Sequence, residues 1–110
     1  MKLITLILLV VLQLQEVKVS VVPRLSLAPA TVRASIIVPR HPDNRLLIIV
    51  LADELEISRS EIPLNGDNEQ PQFIRLFTHL PPGSYRVTAV LIRGDKDFRS
   101  FADFEVGGGS

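Results

Sequence analysis

The sequence predicts an all-β fold, an antiparallel β-sandwich, and three observations lead there. In Leu80-Pro81-Pro82-Gly83-Ser84-Tyr85 a proline–glycine turn feeds a run, Tyr85 to Leu91, whose residues alternate. A period of two marks a half-buried strand, here with Tyr85, Val87, Ala89 and Leu91 toward a core and Arg86, Thr88 and Val90 away from it. Short apolar runs separated by turn signals every 8–12 residues or so recur along the chain, which is sandwich spacing. Nowhere does the 3.6-residue repeat of an amphipathic helix emerge.

Met1-Lys2 precedes an apolar run, Leu3 to Leu12, broken only by Thr5. A short basic start followed by an apolar stretch of about 7–15 residues is the pattern of a secretory signal. A membrane span would need about 20 residues. No small-x-small cleavage triplet follows directly, since Gln13-Leu14-Gln15-Glu16 is a poor site. Residues 1–15 therefore read as a signal peptide or an apolar N-terminal segment, with a buried first strand or an uncleaved tether as the alternative. The expected location is secreted or periplasmic, with no membrane contact beyond that segment.

The domain itself is expected over residues 16–106. Val17, Val19 and Val21 alternate with polar neighbours and open it. Pro23 and Pro29 bracket Arg24–Ala28; proline cannot donate to a ladder, so this piece belongs to an edge that breaks or switches sheets. Val32, Ala34, Ile36 and Val38 form the next strand, which stops at Pro39. Arg40-His41-Pro42-Asp43-Asn44 is a turn. Leu46–Ala52 is apolar on both faces, as a central strand would be, so either Leu46, Ile48 and Val50 or Leu47, Ile49 and Leu51 could face out. Asp53–Ile62 is a mixed, exposed strand, and the polar stretch Pro63–Pro71 holds an Asn-Gly turn. Phe73–Leu80 leads into the Pro-Pro-Gly turn. A last strand puts Phe98, Ser100, Ala102, Phe104 and Val106 on one face and Arg99, Phe101, Asp103 and Glu105 on the other. Residues 107–110 read as a flexible Gly-rich tail. The sum is an Ig-like antiparallel sandwich of about seven strands, with a small β-barrel as the alternative. Pro82, Gly83 and Tyr85 form its structural corner, the tyrosine packing inside while its hydroxyl bonds upstream backbone.

Composition removes several function classes. The chain has 110 residues, 12 basic and 12 acidic, so no net field draws it to nucleic acid. It lacks cysteine, which excludes a disulfide framework and thiolate chemistry. The only histidines, His41 and His79, sit in a turn and at a strand end, too few and too far apart for a triad or a zinc site. Asp95 with Asp97, and Asp67 with Glu69, could offer carboxylates to calcium, but neither pair has the spacing of a calcium loop and solvated turn acids are the simpler reading. The expectation is a protein that is not an enzyme and carries no cofactor or metal.

Four stretches resemble a known kind of protein: Val32–Val38, Pro42-Asp43-Asn44-Arg45, Ile62-Pro63-Leu64-Asn65-Gly66 and Leu80–Val87. Together they are similar to small bacterial secreted proteins made of one Ig-like domain, related in outline to fibronectin type III. The resemblance implies a fold and a cell-envelope setting, and no catalytic residues.

What remains is binding or assembly. Ile37, Val90 and Phe101 are apolar residues expected on outward faces, and with Arg86 and Arg99 on the rim they form the candidate interaction face for a protein partner or a second copy. Arg93-Gly94-Asp95 falls between the last two strands, where fibronectin carries its adhesion tripeptide. Gly-Asp is also what a tight hairpin needs, and that is the simpler reading. The expected function is a non-enzymatic exported binding or structural module; the alternatives are a filament or surface-layer subunit joined through strand edges and an accessory domain to an envelope enzyme.

Overall fold

A computed structural model of the chain describes residues 17–66 and 70–108. The apolar N-terminal segment and the acids Asp67 and Glu69 lie outside those residues. Eight strands form: β1 (Lys18–Val22), β2 (Leu25–Leu27), β3 (Ala30–Ile37), β4 (Asn44–Ala52), β5 (Glu56–Pro63), β6 (Gln72–Leu80), β7 (Gly83–Arg93) and β8 (Lys96–Gly107). They make two sheets, β1-β3-β6 and β2-β8-β7-β4-β5. The inner faces meet in one apolar core centred on Val32, Ile36, Leu47, Ile49, Leu51, Val87 and Leu91.

The proline-bracketed piece does switch sheets. β1 pairs antiparallel with β3, whereas β2 crosses over and runs parallel to the end of β8. This gives one strand more than the expected seven. β8 also runs one residue further than expected: Gly107 belongs to it, and its carbonyl accepts a hydrogen bond from the Ala28 N–H at 2.9 Å. β4 turns Leu47, Ile49 and Leu51 inward and leaves Leu46, Ile48 and Val50 half-buried on the outer face.

The corner forms as its residues require. Tyr85 is buried, its hydroxyl donates to the Pro81 carbonyl, and its ring stacks on that of Phe104, 5.2 Å away across the β7–β8 ladder. Burial pushes the phenol's pKa above its ordinary value, and the Asp53 charge pushes the same way.

At the opposite end, the β3–β4 turn is locked by a buried polar residue, Asn44. Its amide donates to the Pro39 carbonyl at 2.9 Å and its carbonyl oxygen accepts from Arg93 Nε at 2.9 Å. Near the corner, β6 departs from ideal strand geometry: its register against β3 shifts between Ala30 and Val32, and His79 has a φ of 56°.

Candidate functional site

The outer face of the five-stranded sheet is the most developed surface among the described residues. Its rows follow from register: Asp97, Arg99, Phe101 and Asp103 on β8 lie beside Ile92, Val90, Thr88 and Arg86 on β7. These in turn neighbour Leu46, Ile48, Val50 and Ala52 on β4, and beyond them Arg59 and Glu61 stand on the edge strand β5. Two shallow depressions share Thr88. One, of about 340 Å³, has a floor of Ile48, Val50, Val90 and Ile92 edged by Arg59, Asp97 and Arg99. The other, of about 370 Å³, includes Asp53, Ser84, Arg86, Asp103 and Glu105.

Between them stands Phe101, directly opposite Thr88 and 54% exposed. The Arg86 guanidinium lies 3.9 Å from the centre of its ring. That guanidinium also forks onto Asp103, Nε to Oδ1 at 2.7 Å and the terminal nitrogen to Oδ2 at 3.1 Å. The hydrogen bond from Arg86 holds the Asp103 carboxyl below its usual pKa. With both charges exposed, the fork contributes little to stability and mainly fixes the arginine over the ring. Arg59 pairs with Glu56 at 3.2 Å and Glu61 at 3.5 Å, and Arg99 with Asp97 at 3.4 Å. The rim is thus charged but locally balanced.

The expected interaction face needs two corrections. Ile37 is outward-facing, but it lies on β3, in the other sheet, on the far side of the molecule from Phe101. Alternation tells which way a side chain points relative to its own sheet and says nothing about which sheet that is. Val90 does point outward, yet it is only 8% exposed, sunk between its cross-strand neighbours Ile48 and Arg99. Arg99 and Phe101 are exposed together on the outer face of β8, and Arg86 reaches Phe101 from the neighbouring β7.

The Arg93-Gly94-Asp95 segment is a hairpin turn. Gly94 takes a φ of 62° at the first central position, where a two-residue hairpin of the II′ kind needs glycine. Its N–H donates to the Asp43 carbonyl at 3.0 Å, tying the turn to the β3–β4 loop. Arg93 does not project as an adhesion arginine would: it bonds Asn44 and Pro39 and packs 5.1 Å from the Phe98 ring centre. Burial lowers its pKa, with the Asp43 charge opposing. The Asn44–Arg93 bond is invisible to motif reading because its partners are 49 positions apart.

His41 accepts from the Asp43 N–H at 3.1 Å in its own turn. Asp53 accepts from the Leu55 and Glu54 N–H groups, and the Leu55 bond is the largest influence lowering its pKa. Among the described residues, no three or more of His, Cys, Asp and Glu gather where they could hold a metal ion.

This architecture is shared with solved structures of low sequence similarity. The CARDB domain of a Pyrococcus furiosus protein, solved in complex with di-metal ions, superposes with a TM-score of 0.59 at 10% identity over 86% of this chain and 93% of that one. A superoxide reductase (neelaredoxin) from Ignicoccus hospitalis superposes with a TM-score of 0.58 at 13% identity, over 83% and 80% of the two chains. At such identities the likeness concerns the fold, and the fold is an all-β, Ig-like sandwich. No family model matches the sequence, and no curated protein matches it.

Proposed function

We propose that the protein is a non-enzymatic binding or structural module of the cell envelope or extracellular space, docking a protein partner through the outer face of its five-stranded sheet. The observation that carries this reading is Phe101, a large aromatic held half out of the surface beneath Arg86 and beside an apolar floor. Interfaces draw most of their affinity from a few aromatic and arginine anchors surrounded by a polar rim. This face has both. The balanced ion pairs around it favour a partner of mixed charge, not a polyanion.

Phe101→Lys tests the face. Its ring lies outside the core and stacks on Arg86, so the change should cost no more than about 1 kcal/mol of stability. Loss of an aromatic anchor typically costs 2 kcal/mol or more, roughly thirtyfold in affinity for a partner recovered with the wild-type protein. A folded variant that binds that partner as well as wild type overturns the reading.

Export rests on Lys2 and the Leu3–Leu12 run. Fusing residues 1–22 to a reporter active only outside the cytoplasm is expected to give signal. A silent fusion that accumulates in the cytosol would remove the envelope setting and leave the docking face to be judged separately.

A further inference from the structure

We infer that the free edge of β6 is a self-pairing edge, through which two copies of the chain join their three-stranded sheets into one antiparallel six-stranded sheet. No strand among the described residues pairs with β6 on its far side. The Val38 N–H donates to the Pro71 carbonyl at 2.8 Å, and this fixes the phase of the β3–β6 ladder. Residues 73, 75 and 77 turn their backbone groups toward β3, so Gln72, Ile74 and Leu76 turn theirs to the open side. The same residues project side chains onto the outer face, where Leu76 is 63% and Ile74 39% exposed, with Ile37 diagonally adjacent.

An apolar edge with unpaired backbone groups is a template for another strand, and proteins usually blunt such edges with charge or proline. The β5 edge of the five-stranded sheet is blunted in this way: it carries Glu56, Arg59, Glu61 and Pro63. β6 has no proline and no acid, and its sole arginine, Arg75, donates to the outward Ile74 carbonyl at 3.0 Å.

A second copy fits this edge best in one register. An axis through Phe73 would set Leu76 opposite Gln70, before the strand begins. A twofold axis through Arg75 would set the two guanidinium groups directly opposite each other, which is destabilising. An axis through Leu76 would draw in the irregular end of the strand, with the shifted register and His79. An axis through Ile74 uses only residues 72–76. It matches Gln72 with the second copy's Leu76 and Ile74 with its own counterpart, as hydrogen-bonded pairs. On the inner side it places each Arg75 against the other copy's Phe73, a cation–aromatic pair made twice. The guanidinium that caps the Ile74 carbonyl in the monomer would then trade that bond for the ladder and the ring.

This contact is independent of the docking face, which lies on the opposite sheet. Sedimentation velocity over a concentration series should show a reversible monomer–dimer equilibrium for the wild type and for Phe101→Lys. Ile74→Pro removes an outward N–H that no intramolecular bond uses, and Ile74→Lys opposes two charges at the axis; both are expected to be monomeric throughout with the fold retained. Register is read by oxidative cross-linking, since the chain has no cysteine of its own. Ile74→Cys should form a disulfide dimer, because hydrogen-bonded antiparallel pairs bring Cα atoms to about 5.5 Å, within disulfide range. Leu76→Cys should not, its two copies lying about four residues, or roughly 13 Å, apart along the strand. A wild type that stays monomeric, a dimer that survives both Ile74 variants, or equal cross-linking at the two sites overturns the assignment.

Discussion

Tyr85→Ala is expected to destabilise the domain by about 3–5 kcal/mol, the range for deleting a large aromatic from a packed core. The ring is buried against Phe104 and its hydroxyl closes the turn onto Pro81, so the substitution empties a cavity and also frees a carbonyl at the point where β6 hands over to β7. Tyr85→Phe separates the two effects: it keeps the packing, removes one hydrogen bond, and should cost about 0.5–1.5 kcal/mol. For a domain of this size each kcal/mol moves the thermal midpoint by about 4–8 °C, so the alanine variant should melt well over ten degrees early. Urea or thermal unfolding of the three proteins measures both. An alanine variant with the wild-type midpoint would mean that the corner is not held by this residue.

Asn44→Ala carries the second large effect, about 2–4 kcal/mol. One lost bond is to a guanidinium, worth about 1.5–3 kcal/mol, and the other is to a neutral carbonyl, worth about 0.5–1.5. The loss is aggravated because Arg93 is itself partly buried and would keep its charge without its nearest acceptor. Asn44→Asp should be milder, since a carboxylate still accepts from Arg93 but cannot donate to Pro39. Denaturant midpoints with an unchanged slope would show that native stability, and not denatured-state compactness, had changed. An alanine variant within about 0.5 kcal/mol of wild type, the usual span of a neutral surface change, would mean the network is ornamental.

The parts of the fold that could be read ahead of the structure are those governed by local periodicity. β3, β8 and the first half of β7 each have a wetter and a drier face, so alternation alone separates Val87 from Arg86 and Phe104 from Asp103. β4 resists the same reading because its outer row, Leu46, Ile48 and Val50, is nearly as apolar as its inner one. Sheet membership is a long-range property. Nothing in the local sequence of β3 says that Ile37 lies across the sandwich from Phe101, so alternation alone joins the two in one face wrongly. The Arg93-Gly94-Asp95 turn shows a further limit: tripeptide chemistry looks the same whether or not a distant asparagine has already engaged the arginine. The free edge of β6 was not legible at all, since an edge is defined by which strand is missing beside it.

The sheet switch between β1 and β2 has a mechanical consequence. β2 and β8 run in the same direction, with the chain entering β2 at Leu25 and leaving β8 at Gly107, which lies opposite Leu27. A pull applied to the chain on both sides of the domain first loads β1 against β3 and, once β1 has yielded, draws β2 and β8 past each other along their length. Bonds that lie across the direction of pull are loaded together and not one after another, so they resist as a group until all give way. A module stretched between two attachments would thus, once β1 has yielded, be held by its shortest strand, with β4, β5, β6 and β7 sheltered until that clasp opens.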